Sequence, residues 1–190
     1  GLRRTSASTP GTTSLRLPLR PERFAATLVS RTHAPESATV PSNVEDFVPP
    51  SAMVVVAHPD DAEFMVAGTI ARWAAAGCEV TYVIITKGDK GSEDPQMTSE
   101  RLTIIREAEQ RAAGAILGVK NYEFMGYPDG YLVHTLELRR DVTRIIRRHR
   151  PHVLLTFDPT NRFFSDNYVN HPDHRVAGDR DGDRVPVHVL

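Results

Sequence analysis

Apolar residues fall into two kinds of run along this chain. The first kind is short and unbroken. Met53-Val54-Val55-Val56-Ala57 and Glu79–Thr86 (EVTYVIIT) are rich in β-branched residues, the pattern of strands buried on both faces of a sheet. His152–Phe157 has the same character, and Tyr122–Met125 is a shorter example. The second kind recurs every three or four residues. Phe64, Met65, Ala67, Ile70, Ala71 and Ala74 stripe a helix over 62–76, with Gly77 as its stop. Leu102, Ile105, Ala108, Ala112 and Ile116 stripe a second helix over about 99–118, which Thr98 and Ser99 can cap. Leu138, Val142, Ile145 and Ile146 stripe a third, whose opposite face carries Arg139, Arg140, Arg144, Arg147 and Arg148, a solvated basic face. Strand and helix alternate from end to end. This predicts an α/β fold, a Rossmann-like parallel sheet flanked by helices. Right-handed crossovers put helices on both faces, and ligands bind beyond the carboxyl ends of the strands.

Composition marks the limits of that pattern. Residues 1–35 hold six arginines against one acid, Glu22, and Thr5–Ser14 is mostly Ser, Thr and Pro. Such a stretch buries too little apolar surface to offset its ordering entropy. We therefore expect a disordered head over 1–48, a folded core over 49–176 and an irregular tail over 177–190. An Arg-rich, acid-poor head is also the composition of a transit peptide; a plain disordered leader is the simpler reading. Across all 190 residues the net charge is −1, which disfavours nucleic acid as a partner. A single Cys excludes an internal disulfide framework. No apolar run approaches the roughly 18 residues of a membrane span. The expectation is a cytoplasmic protein with no membrane span, its oligomeric state left open.

The polar residues of interest sit where strands end. The first strand runs straight into His58-Pro59-Asp60-Asp61, with Glu63 just beyond. Burying that much unpaired charge would cost several kcal/mol, and a metal ion is the obvious compensation. His58 and Asp61, three apart, can converge across one turn, which leaves Asp60 free for acid–base work. The alternative is a helix start in which Asp60 and Asp61 cap the first amides. After Phe157 a polar loop leads to His171-Pro172-Asp173-His174. Two His and one carboxylate with an open fourth position is a common catalytic zinc arrangement, and the pair of tetrads favours metal over cap. The segment TKGDKGS reads as a turn whose Gly88 and Gly91 contact a substrate; it lacks Walker spacing. Asp129 either faces the cleft or shapes a Pro-Asp-Gly turn. Arg106 contacts substrate or pairs with acids on its own helix.

Ala57-His58-Pro59-Asp60-Asp61-Ala62-Glu63 resembles the signature of the PIG-L/LmbE-like zinc-dependent de-N-acetylases, and His171-Pro172-Asp173-His174 resembles their second motif. The likeness extends weakly through 86–92, Arg106-Glu107 and 127–130, about residues 52–175 in all. It implies zinc (Zn2+) held by His58, Asp61 and His174. Asp60 would be the general base, and His171 would stabilise the oxyanion or protonate the leaving amine. Asp173 would orient this network. It further implies a small-molecule N-acetylated substrate, an amino-sugar conjugate, hydrolysed to acetate and a free amine. The alternatives are an amidase on a thiol conjugate using the same site, or a truncated, non-catalytic metal-binding fragment. The family's assisting tyrosine is not matched, since Val169 stands there and Tyr168 is one step off. The polar run 178–184 reads as the end of a truncated or frame-altered domain; it lacks the loop length and terminal Glu of a calcium-binding EF-hand.

Overall fold

The computed structural model describes residues 29–30, 47–165 and 168–179. The remainder of the expected head and tail lies outside the described residues. The element order is β1 (Val29–Ser30), β2 (Ser51–Val56), α1 (Asp61–Ala75), β3 (Glu79–Thr86), α2 (Ser99–Ile116), β4 (Asn121–Tyr127), α3 (Leu136–His149), β5 (Val153–Leu155), β6 (Phe163–Ser165), β7 (Tyr168–Val169) and α4 (Pro172–Gly178).

Five strands form one sheet in the order β1-β5-β2-β3-β4. β2 pairs in parallel with both β3 and β5, and β3 with β4. β1 is antiparallel to β5 through Val29 and Ser30, so the head contributes one short edge strand. Because strand side chains alternate between faces, β2 divides its residues between two cores. Ala52, Val54 and Val56 join Tyr82, Ile84 and Leu155 under Val66, Ile70 and Trp73 of α1. Met53 and Val55 join Val83, Ile85 and Leu154 under Leu138 and Ile145 of α3. The described core includes Phe47, just before the expected boundary. Phe47 meets Trp73 edge to face at 6.0 Å and accepts its indole N–H at 2.8 Å.

The chain leaves β2 in one direction to β3 and β4, then returns past β2 to β5. The carboxyl end of β2 is therefore the sheet's switch point, the place where a crevice opens between oppositely directed crossovers. His58 follows β2 and His174 follows β5, so the topology brings the two tetrads to one crevice.

Four expectations need correction. The apolar residues that α1 buries are Ala62, Val66, Ile70 and Trp73, while Phe64 of the expected stripe is 84% exposed. The buried face of α2 is Leu102, Gln110 and Gly114, while Ile116 is exposed. The apolar stripe fails there because polar Arg106 and Gln110 are drawn to the turn after β2. The polar loop before the second tetrad holds a small antiparallel hairpin, β6-β7. The second tetrad itself opens a helix, α4, with Pro172 in its first turn and His171 as its cap.

Candidate metal centre

The turn after β2 is tight. Asp60 occupies left-handed backbone, φ 95° and ψ −25°, and its side chain makes no capping bond to α1. Asp61 does not cap the helix either. Its carboxylate folds back, and Oδ2 accepts from the His58 N–H at 2.7 Å. That resolves the choice left open by the sequence in favour of convergence. His58 Nδ1 lies 3.4 Å from Asp61 Oδ2, His174 Nε2 lies 3.1 Å from Asp61 Oδ1, and the two ring nitrogens are 3.2 Å apart. Donors on a tetrahedral zinc at bond lengths of roughly 2.0–2.1 Å stand about 3.3 Å from one another. The two imidazole nitrogens stand at that spacing, and a different Asp61 oxygen lies near each of them. His58, His171 and His174 also bring one ring nitrogen each within 4.8 Å of one another, so this His/Asp cluster could hold a metal ion.

A ring of acceptors fixes the aim of both imidazoles. His58 Nε2 faces Asp129 Oδ1 at 3.0 Å and Asp173 Oδ2 at 3.2 Å, which holds its proton there and frees Nδ1. His174 Nδ1 faces Asn170 Oδ1 at 3.2 Å, which frees Nε2. Phe157 stacks flat on the His174 ring at 4.2 Å. Such outer partners set tautomer and basicity at metal sites. Asp173 is fully buried and also accepts from Gly130 N at 2.7 Å and Leu132 N at 3.2 Å. Asp129 is held in turn, because its N–H donates to Asp89 at 3.0 Å while Ser99 donates to the other Asp89 oxygen.

Electrostatics follow from this geometry. Burial alone would lower the His58 pKa, but bonds to Asp129 and Asp61 outweigh it and raise it to about 10. Burial would raise Asp61, but bonds from His174 and His58 bring it down to about 2. A proton on His58 Nδ1 occupies the direction a metal would take, so metal and proton compete. His171 behaves oppositely. Burial first, then the charge of His58, lower its pKa. Its Nδ1 accepts from Asp173 N at 3.2 Å, so the neutral ring carries its proton on Nε2. The ring stands edge-on to His58 with centroids 4.7 Å apart.

Asp60 lies outside this ring. Its carboxylate is about half exposed and pairs with Arg106 Nη2 at 2.7 Å, and the same nitrogen donates to Pro59 O at 2.6 Å. Arg106 therefore reaches across to the turn after β2, with Glu109 on its own helix a looser partner at 3.6 Å. Its Nε is buried with no hydrogen-bond partner. Gly88, at φ +62°, packs on Pro59 so closely that a Cβ would sit 2.9 Å from the ring. It shapes the wall of the turn. The structure thus gathers His58, Asp61, His171, Asp173 and His174 with Asp129, and sets Asp60, Arg106 and Gly88 beside them. Sequence reasoning missed Asn170, Asp89 and Gln110. Asn170 and His174 are spaced i, i+4, a signal that becomes visible only once α4 is placed.

The chain matches the family described as PIG-L, GlcNAc-PI de-N-acetylase, over residues 53–180. It is 35% identical over 121 residues to diacetylchitobiose deacetylase of Thermococcus kodakarensis, covering 64% of this chain and 43% of that protein. It is 36% identical to a probable N-acetyl-alpha-D-glucosaminyl L-malate deacetylase 2 of Bacillus anthracis, covering 67% and 55%. Among solved structures, N,N'-diacetylchitobiose deacetylase from Pyrococcus horikoshii with its inhibitor MPG superposes with TM-score 0.64 at 33% identity, over 70% of this chain and 48% of that one. GalB, a 4-carboxy-2-hydroxymuconate hydratase from Pseudomonas putida, superposes at TM-score 0.57 and 27% identity, over 67% and 52%. The chain spans about half the length of the curated relatives it matches. On the matched span and the shared fold together, this chain belongs to the PIG-L family of GlcNAc-PI de-N-acetylases.

Proposed function

We propose that the protein hydrolyses the N-acetyl amide of an amino sugar or its conjugate, releasing acetate and a free amine, with zinc held by His58, Asp61 and His174. The observation that carries this reading is the convergence of His58, Asp61 and His174 at the sheet's switch point, with the two ring nitrogens 3.2 Å apart and an Asp61 oxygen within 3.4 Å of each. The activities for which the deacetylase relatives are named supply the substrate class.

A bound zinc would supply Lewis acidity toward the amide carbonyl and acidify a neighbouring water, whose pKa falls from ~15.7 to about 7 on zinc. The chain's own groups handle the protons. Asp60, half exposed and paired with Arg106, takes the proton from the attacking water. His171 directs its Nε2–H at the oxygen where negative charge develops, in a site walled by the His58 ring. The proton held by Asp60 then goes to the leaving nitrogen as the C–N bond breaks. Asp173 and Asp129 keep His58 in the tautomer that presents Nδ1. Arg106, through Nη2, steadies the Asp60 carboxylate and the Pro59 carbonyl, and its partly exposed guanidinium lies beside the crevice for a sugar hydroxyl to reach.

The test is acetate release from N-acetylglucosamine and N,N'-diacetylchitobiose by the zinc-loaded chain. Asp60→Asn should lower kcat by roughly 10²–10⁴ while zinc content is unchanged. Hydrolysis confined to N-acyl thiol conjugates would move the substrate class and keep the site. Zinc binding without hydrolysis of any amide would refute the activity. The hydratase that shares this fold makes addition of water to a carbon–carbon double bond a useful counter-assay.

A further inference from the structure

The turn that carries Asp60 is held from α2, not from its own helix. Left-handed backbone at φ 95° turns the Asp60 N–H away from α1, where it has no intrahelical acceptor. Gln110 supplies one. Its side chain is almost fully buried, and Oε1 accepts from Asp60 N at 2.7 Å. The other end of the same amide donates to both oxygens of Glu63, each at 3.0 Å. Gln110 thus joins the residue before α1 to the first turn of α1. Arg106, one turn earlier on α2, fixes the Pro59 carbonyl and the Asp60 carboxylate. The two α2 residues grip consecutive groups of one turn, and a buried glutamine is an unusual occupant for the core face of a helix.

We infer that Gln110 is a positioning residue for Asp60: its amide clamps the Asp60 N–H and the Glu63 carboxylate together, holding the left-handed turn that sets where the Asp60 carboxylate stands. This rests on the proposed role of Asp60 as base. Leu, Met or another apolar residue at 110 would fill the same space and release the Asp60 N–H. The turn would relax and the carboxylate would move away from the attacking water. Displacements of about an ångström at a reacting group cost up to roughly 10²-fold in rate.

Gln110→Met keeps the side-chain shape and removes all three hydrogen bonds. In the zinc-loaded full chain assayed on N,N'-diacetylchitobiose, we expect kcat to fall roughly 10–100-fold, with KM and zinc content little changed. The same substitution in an Asp60→Asn background should change nothing further. Exchanging the pair, Gln110→Glu with Glu63→Gln, restores an acceptor for Asp60 N–H and a donor for its partner, and should recover most of kcat. An independent readout is amide hydrogen exchange. The Asp60 amide should exchange at least about tenfold faster in Gln110→Met, while Val55 and Val83 in the sheet keep their protection. Unchanged exchange at Asp60 overturns the clamp. An equal kcat loss in the Asp60→Asn background overturns the positioning role and makes Gln110 structural only. Should the wild-type chain release no acetate, the proposed activity falls and the catalytic consequence of the clamp falls with it. Exchange at Asp60 still decides the clamp itself.

Discussion

The turns after β2 and before α4 share a sequence pattern, His-Pro-Asp followed by an acidic or imidazole ligand, yet the fold gives their matching positions opposite work. In the first turn, positions one and four, His58 and Asp61, face the donor cluster. In the second, position four, His174, reaches Asp61, while position one, His171, lies beside the same cluster and also caps a helix. The third positions diverge most. The side chain of Asp60 is 49% exposed and that of Asp173 is 0% exposed. Backbone explains the difference. Asp60 takes left-handed φ outside α1 and projects outward, whereas Asp173 follows Pro172 inside α4 and points into the sheet's crevice. Equal spacing in sequence therefore assigns no role until the conformation of each turn is known.

The largest expected effect lies at the buried third position. Asp173→Ala leaves the His58 ring and the amides of Gly130 and Leu132 without their acceptor. It should destabilise the metal-free protein by about 3–5 kcal/mol in urea unfolding. A loss under about 1 kcal/mol would mean that Asp173 is not the anchor of this region.

The two first-position histidines sharpen the comparison through pH. Because His58 is raised from its ordinary 6.5 to about 10, its contribution to metal-free stability is fully present below 6.5 and is lost as pH climbs to 10. Asp61, lowered from 3.8 to about 2, contributes above 3.8 and loses that contribution as pH falls to 2. On the proposed ligand set, zinc would displace the proton on His58, so the rise in Tm caused by zinc should grow with pH above 6.5. Thermal scans with and without zinc at several pH values check this. A zinc shift that does not vary with pH would show that His58 binds no proton at the donor position.

The smallest effect belongs to the exposed third position. Asp60→Gly suits left-handed backbone and gives up only a half-exposed ion pair with Arg106. Stability should shift by less than about 1 kcal/mol. A loss comparable to that of Asp173→Ala would erase the distinction between the two turns.

Much of this organisation was legible in the chain. The unbroken runs at 53–57 and 79–86 and the stripe of α3 reported their burial directly, because packing on a two-faced sheet leaves little choice of residue, whereas the expected stripe of α1 shares only Ile70 with its buried face. The tetrads were visible because ionisable groups adjoin buried strands. α2 was read onto the wrong face, since Arg106 and Gln110 break its apolar stripe to serve a turn some fifty residues earlier in the chain. The hairpin β6-β7 was missed because its pairing is two short, exposed strands. Asn170 and Asp89 act through contacts that only the fold creates, so no local pattern announces them. Of the two readings of Asp129, cleft or turn, the fold agrees with the first, since its carboxylate lies on His58.

Zinc binding to the purified, chelator-treated chain tests the central claim most directly, read by titration together with X-ray absorption at the zinc edge. The account predicts roughly one zinc per chain with nitrogen and oxygen ligands at about 2.0–2.1 Å, lost in Asp61→Ala and His174→Ala and retained in Asp60→Asn. Stoichiometry far below one, or binding that survives His174→Ala unchanged, would contradict it.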